Sequence, residues 1–477
     1  MLICEILSEN SFKKASNFFF AYQLNSSIYL MQEKFEEKQM KNTPIPIDLV
    51  DSKIKECKIK DFGKASIREF VRLVSLIEKE IDKKFIRMEM GVPGLSPAKI
   101  GVEAEIEALK NGVASKYPPI DGIAPLKEEA SKFIKNFVNI DISPASCVPT
   151  VGAMQACFAT MMVACRREIK KDTLLFLDPG FPVQKQQMNV MGLKYESFDI
   201  YEYRGDKLKE KLEEYLKRGN ISTLLYSNPN NPSWICLTDN ELKIIGELAN
   251  KYDVVVIEDL AYFGMDFRKD LSNPGKEPYQ ASVANYTKNY VLLVSSSKIF
   301  SYAGQRVAIL AVSNELYQKQ FPDLKRFFAQ DAFGPAIVYG ALYALSSGTA
   351  HSAQYAMAAV LKAANEGKYN FIKEIKEYGL RANKMKELFT KYGFQIVYDR
   401  DEDQPLADGF YFTLSYPKMS GAELVEKLIY FGISAIPLDS TGSLRKEGIR
   451  ACVSFVNQSQ FPELEERLKS FQENFGN

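Results

Sequence analysis

The sequence predicts an α/β protein: a mostly parallel sheet covered by helices, with a smaller α+β domain formed by the N- and C-terminal segments. Three observations carry this expectation. Between about residues 170 and 312, short β-branched and aliphatic runs alternate with amphipathic helical patterns. Those runs are apolar on both faces, as strands covered by helices on each side must be. Beyond residue 350 the pattern changes to a long helical stretch followed by shorter strand-like pieces.

Residues 1–60 are polar and mixed, without sustained periodicity, and read as an N-terminal extension or arm. Lys13 and Lys14 before Phe18 to Tyr22 imitate a signal peptide, but that apolar core is too short. Met40 offers an alternative initiator, which the intact mass of the native protein would test. Residues 61–95 read as a helix and a loop belonging to the small domain. Ile67, Phe70, Val71, Val74, Ile77 and Ile81 recur at helical spacing, and Gly91-Val92-Pro93-Gly94 then breaks the pattern. The large domain is expected over 96–350, with strands at 173–177, 221–226, 254–257, 291–294 and 307–312, and helices at 206–217 and 239–251. Residues 351–477 form the linking helix and C-terminal small domain: one helical stretch over 350–389, strands at 409–415 and 450–455, and a helix at 421–431.

Composition removes several classes of chemistry. No apolar run approaches the length of a membrane span, and 61 basic against 60 acidic residues lack the excess that phosphate-backbone binding requires. A single histidine, His351, cannot supply a zinc site, and it reads as an ordinary helix-start residue. The seven cysteines contain no C-x-x-C pair, which fits scattered reduced thiols in a cytoplasmic protein. Proton transfer must fall to Lys, Tyr, Asp or Glu.

In open parallel sheets, ligands bind beyond the carboxyl ends of the strands. Polar clusters stand there in order: Asp178-Pro179-Gly180-Phe181-Pro182, then Ser227-Asn228-Pro229-Asn230-Asn231-Pro232, then Glu258-Asp259-Leu260-Ala261-Tyr262, then Ser295-Ser296-Ser297-Lys298. Gly304-Gln305-Arg306 leads into the fifth strand. Taken singly, each reads as a cap, a turn or a surface loop. As a set they match one cofactor. Pyridoxal phosphate needs a lysine amine for its aldehyde, an acid for its ring nitrogen, donors for its phenolate and an anion cradle.

These motifs carry a resemblance. Asn228-Pro229-Asn230-Asn231-Pro232, Asp259-x-Ala261-Tyr262, Ser295-x-Ser297-Lys298 with Arg306 eight residues on, and Tyr117-Pro118-Pro119-Ile120-Asp121-Gly122 resemble, in order, the fold-type-I pyridoxal-phosphate aminotransferases of class I/II. The match spans residues 88–312, with more near 450. It implies an amino-acid aminotransferase of the cytoplasm, passing an amino group from an L-amino acid to a 2-oxo acid by a ping-pong cycle. Lys298 is then the Schiff-base lysine and proton shuttle, and Asp259 the partner of the pyridine nitrogen. Strand alternation lets only one of Asp259 and its rival Glu258 face the ring. Asn231 and Tyr262 are the donors to the 3′-oxygen, Asn231-Pro232 is a candidate cis bond, and Phe181 stacks on the ring.

The phosphate cradle is expected at Gly152, Ala153 and Met154, which open a helix, with Ser295, Ser297 and Arg306 adding side-chain contacts. Tyr117 matches a tyrosine that reaches the neighbouring subunit's phosphate, which implies a homodimer with shared sites. Arg450 resembles the clamp for the substrate α-carboxylate, with Arg445 as rival, and Gly91 approaches the same carboxylate. Trp234 stands where the family has a glycine, close to the active-site mouth, and is read as a substrate contact that narrows the pocket or stacks on a substrate side chain, with outward packing as the alternative. No metal is implied. The same groups also serve carbon–sulfur β-lyases, the alternative activity. A silent cofactor-binding regulator is a third class. The substrate side chain is not legible, and no second arginine for an acidic one stands out.

Overall fold

Alternating apolar runs and amphipathic stretches fold into a seven-stranded sheet. Its strands are β1 (Cys147–Val151), β2 (Thr173–Asp178), β3 (Lys194–Asp199), β4 (Ile221–Ser227), β5 (Val255–Leu260), β6 (Tyr290–Ser295) and β7 (Val307–Val312). The order is β1-β7-β6-β5-β4-β2-β3. Pairings among β3, β2, β4, β5 and β6 are parallel, and β7 runs antiparallel to both β6 and β1. This computed structural model describes residues 40–476. Most of the expected N-terminal arm lies outside that range.

Strands β2, β4, β5, β6 and β7 are buried at every residue, as their unbroken apolar runs require. Against one face lies the helix Gly152–Ala164, apolar nearly all round, so that Ala156, Ala159, Met161 and Val163 join Leu225, Ile257, Leu293 and Leu310 in one core. Two strands escaped the sequence reading. β1 carries a proline, tolerated at an edge where one flank has no neighbouring strand, and β3, half-exposed at the opposite edge, reads Lys-Tyr-Glu-Ser-Phe-Asp. Strand β5 also extends past 257 through Asp259, which the apolar pattern alone cannot show.

The second sheet is antiparallel: β8 (Gln395–Ile396), β9 (Tyr411–Ser415), β10 (Ile436–Pro437) and β11 (Ile449–Cys452), in the order β10-β11-β9-β8. The helix Gly421–Tyr430 opens on a capping box in which Ser420 accepts from the Glu423 backbone and Glu423 from that of Ser420. The expected single helix over 350–389 is two, His351–Asn365 and Phe371–Lys391. Gly367, at φ +69°, ends the first, and the Asn370 side chain caps the second.

Ser66 and Glu69 form another capping box that starts the helix Ile67–Glu80. Before it comes a helix that the polar composition hid, Ile47–Cys57, which buries Val50 and Cys57 and packs against Ile67–Glu80. Ile86–Arg87 then pairs in parallel with Ile433–Ser434. Met88 accepts from the Cys452 backbone N–H at 3.0 Å, which brings residues 88–93 beside β11.

Candidate active site

The carboxyl ends of β4, β5 and β6, the first turn of Gly152–Ala164 and the face of the small sheet enclose a cavity of about 530 Å³. Its walls include Asn231, Asp259, Tyr262, Ser295, Ser297 and Lys298, together with Ala153, Met154, Phe181, Arg306, Gly91 and Arg450. Thirteen of the fifteen site residues read from sequence lie in this wall or directly behind it, the thirteenth being Gly152 under Arg306.

Lys298 sits on the single turn Ser296–Ile299 that follows β6. Ser296 turns inward and donates to the Val307 carbonyl at 2.6 Å, so Ser295, Ser297 and Lys298 face the cavity. Burial pushes the Lys298 amine down to about 8, with Arg306 and Arg450 acting in the same direction and Asp259 against it. Such an amine has a substantial neutral fraction near neutrality, which a nucleophile or base requires.

Asp259 ends its strand facing the cavity. Its carboxylate accepts from Gln184 Nε2 at 3.0 Å and from the Ala261 backbone N–H at 3.1 Å. Burial nevertheless raises it to about 6, against the pull of Ala261, Lys298 and Gln184. Glu258 points the other way. It accepts from Ser282 Oγ at 2.5 Å, the Val283 N–H at 3.2 Å and Tyr226 at 3.3 Å, and it lines no part of the cavity.

Arg450 projects from β11. Its Nη2 donates to the Glu89 carbonyl at 2.8 Å and its Nη1 to Asn231 Oδ1 at 3.2 Å, while its buried Nε has no partner. A buried guanidinium in the wall of a cavity offers charge-assisted donors to an anion. The rival Arg445 instead pairs at the surface with Glu202. Gly91 stands opposite: a Cβ there would fall 1.9 Å from the Tyr411 hydroxyl, so only glycine lets the chain pass so close.

Across the cavity, Gly152 (φ +67°) opens a 13-residue helix, and a Cβ on it would lie 2.6 Å from Arg306 Nη2. Arg306 itself is at φ +52° and donates from Nη1 to the Ala303 carbonyl at 2.9 Å. A guanidinium laid on a helix N-terminus forms a cradle for a phosphate-sized anion. Both Asn228-Pro229 and Asn231-Pro232 are cis.

Tyr117, read as reaching a neighbouring subunit, and Trp234, read as a substrate contact, do not line this cavity. Tyr117 is 92% exposed and does not line this chain's cavity. Trp234 is not at the mouth. It is 1% exposed and edge-on to Tyr262 and Tyr411, with ring centroids 5.4 and 6.0 Å away. Its φ of +67° turns it inward, and Gly409 makes the room: a Cβ there would lie 2.0 Å from the indole. The expected substrate contact is therefore corrected to a prop behind Tyr262.

The sequence reading also missed wall residues. Gln184 is a polar residue on the buried side of a helix, Tyr411 an alternating strand residue, and Arg68, Ile67 and Val71 arrive on the N-terminal helix Ile67–Glu80. Nothing local in the sequence marked Gln184 or Arg68 as wall residues.

A lysine and a carboxylate at the strand ends of a covered, mostly parallel sheet, with Arg306 beside them and Arg450 from the second sheet, define the class of site. The chain belongs to the family described as aminotransferase class I and II, whose model matches residues 83–468. It is 25% identical over 257 residues to a probable aspartate aminotransferase of Methanocaldococcus jannaschii, covering 54% of this chain and 63% of that one. This chain thus spans less than two thirds of that relative's length. A (5-formylfuran-3-yl)methyl phosphate transaminase of the same organism is 23% identical over 413 residues, 86% of this chain and 97% of that one. An S-alkyl-thiohydroximate lyase of Arabidopsis thaliana is 24% identical over 188 residues, 39% and 40% of the two chains. The fold is shared with an aspartate aminotransferase of Thermus thermophilus with maleate (TM-score 0.69, 16% identity, 89% and 99% covered).

Proposed function

We propose that this protein is a pyridoxal-phosphate-dependent aminotransferase that moves an amino group between an L-amino acid and a 2-oxo acid in a ping-pong cycle. One observation carries the reading: Lys298, with its amine lowered to about 8, shares a cavity with a buried Asp259, an arginine-capped helix end and an arginine with an unpaired Nε.

The residues fit the cofactor. A phosphate suits the space between Arg306 and the helix end at Gly152, Ala153 and Met154, with Ser295 and Ser297 beside it. Asp259 would face the ring nitrogen, Phe181 the ring, and Asn231 and Tyr262 the 3′-oxygen. When bound, the cofactor supplies an aldehyde carbon and an electron sink. Arg450 binds the substrate α-carboxylate through its guanidinium and so orients the Cα–H bond toward Lys298. The freed Lys298 amine then takes the proton at Cα and returns one to the acceptor carbon. Gln184 and Ala261 hold the Asp259 carboxylate in place.

Four cations but one carboxylate line the cavity among the described residues. Lys298 pairs with Asp259, Arg306 faces a phosphate that carries close to two negative charges, and Arg450 an α-carboxylate. Arg68 is left beside Ile67 and Val71. The place of Arg68 in the wall, with relatives described as aspartate aminotransferases, supports a substrate carrying a second carboxylate. Arg68→Gln should raise KM for aspartate about tenfold while sparing a neutral amino acid. Equal KM changes for both would remove that role.

Exposed Tyr117 supports a homodimer in which it reaches its partner's phosphate. The likeness to a lyase supports carbon–sulfur β-elimination as a second reading. The test adds amino acids to holoenzyme. Loss of the visible cofactor band, restored by a 2-oxo acid, is expected; ammonia and pyruvate from cysteine-type substrates would favour the lyase. Lys298→Ala should lack the lysine-bound band. If wild type lacks it too, the cofactor assignment fails.

A further inference from the structure

Tyr411 stands at a junction that the roles above leave unassigned. It is 2% exposed and lines the cavity. On antiparallel β9 and β11, Tyr411 faces Cys452 and Thr413 faces Arg450, so Tyr411 and Arg450 are diagonal neighbours on one face. The Arg450 guanidinium carbon lies 4.5 Å from the centre of the Tyr411 ring. The Tyr411 hydroxyl is 2.9 Å from that of Tyr262. Gly91 clears the space that this hydroxyl occupies.

A phenol has one proton to give and lone pairs to accept with. If Tyr262 gives its proton to the cofactor's 3′-oxygen, the short contact obliges Tyr411 to be the donor to Tyr262. Two hydroxyls then act in series, and hydrogen bonds in series strengthen one another in a low-dielectric site. We propose that Tyr411 is a positioning residue that donates to Tyr262 and, through it, stabilises negative charge on the cofactor's 3′-oxygen. This inference rests on the pyridoxal-phosphate reading. The same ring lies beneath Arg450, so the tyrosine ties the substrate-carboxylate clamp to the group that tunes the cofactor.

Stabilising the phenolate favours the form of the lysine-bound cofactor that has lost its nitrogen proton, so Tyr411 lowers the apparent pKa of the visible band. The test titrates that band in reconstituted wild type, Tyr411→Phe, Tyr262→Phe and the double variant. Tyr411→Phe keeps the ring, and with it the contacts to Trp234 and Arg450. It should raise the apparent pKa by about 0.5 pH unit, and Tyr262→Phe should raise it further. In the double variant the value should equal that of Tyr262→Phe, because Tyr411 acts only through Tyr262. Fluorotyrosine at position 411, a stronger donor, should move the band's pKa down. An unchanged pKa in Tyr411→Phe, or the same shift again in the Tyr262→Phe background, overturns the relay while leaving the cofactor reading intact. A wild type without the band overturns both.

Discussion

Asp259 shows at the residue scale how burial and function pull against each other. Its carboxyl is raised from the ordinary 3.8 to about 6 by burial, facing Lys298, Gln184 and Cys157. In the cofactor-free protein such a group contributes stability below pH 3.8 that is lost as pH rises through 6, and the whole effect is at most roughly 3 kcal/mol. Lys298 has the opposite sign: its depressed value contributes stability above 10.5 that is lost as pH falls through 8. Thermal melts of the cofactor-free protein should therefore fall from pH 4 to 6 more steeply in wild type than in Asp259→Asn. Identical slopes would show that Asp259 does not titrate there. With cofactor bound, Asp259→Asn should lose at least a hundredfold in kcat, since a neutral amide cannot hold the ring nitrogen's positive charge. Much of this was legible beforehand. Asp259, Lys298 and Arg306 stand in motif order, and strand alternation left a choice between Asp259 and Glu258 that the Ser282 and Val283 contacts to Glu258 decide. Gln184 was not legible, because a glutamine on a helix carries no sign of the strand end it touches.

At the scale of elements, the site depends on how neighbouring segments are tied. Thr238 and Glu241 form a capping box at the start of the helix Asp239–Tyr252, and Glu241 also accepts from Arg204 at 2.6 Å. Arg204 reaches Asp401 at 3.1 Å, which accepts from Arg268 at 2.9 Å and from the Cys236 N–H at 3.1 Å. This buried network anchors the segment that carries Asn231. Asp401→Ala would leave Arg204 on Glu241 and Arg268 on Asp266 but strand the buried Cys236 N–H, at a cost of about 2 kcal/mol in chemical denaturation. A loss below 1 kcal/mol would mean that the network adds little. At the opposite wall, Gly152→Ala places a methyl group against Arg306 at a positive φ. Cofactor affinity should fall at least tenfold by equilibrium dialysis, with secondary structure retained. An unchanged affinity would place the phosphate elsewhere. The glycine was visible in the sequence; the guanidinium above it, 154 positions on, was not.

For the whole molecule, the exposed Tyr117 and the paired reading of shared sites predict a dimer. Sedimentation should give twice the chain mass of 54.0 kDa, and a monomer with full activity would remove the role of Tyr117. Local physics in the chain specifies a great deal: which runs become covered strands, where capping side chains start the helices and glycine stops them, and which polar groups lie at the strand ends. These depend on periodicity and near neighbours, and periodicity is written in the residues themselves. Tertiary structure decided the rest. It sent Trp234 behind Tyr262 instead of into the mouth, because Gly409, far along the chain, leaves a space there. It brought Arg68 to the wall and Tyr411 within reach of Tyr262. Such contacts join residues more than a hundred positions apart, and only the packing of two sheets sets the distance between them.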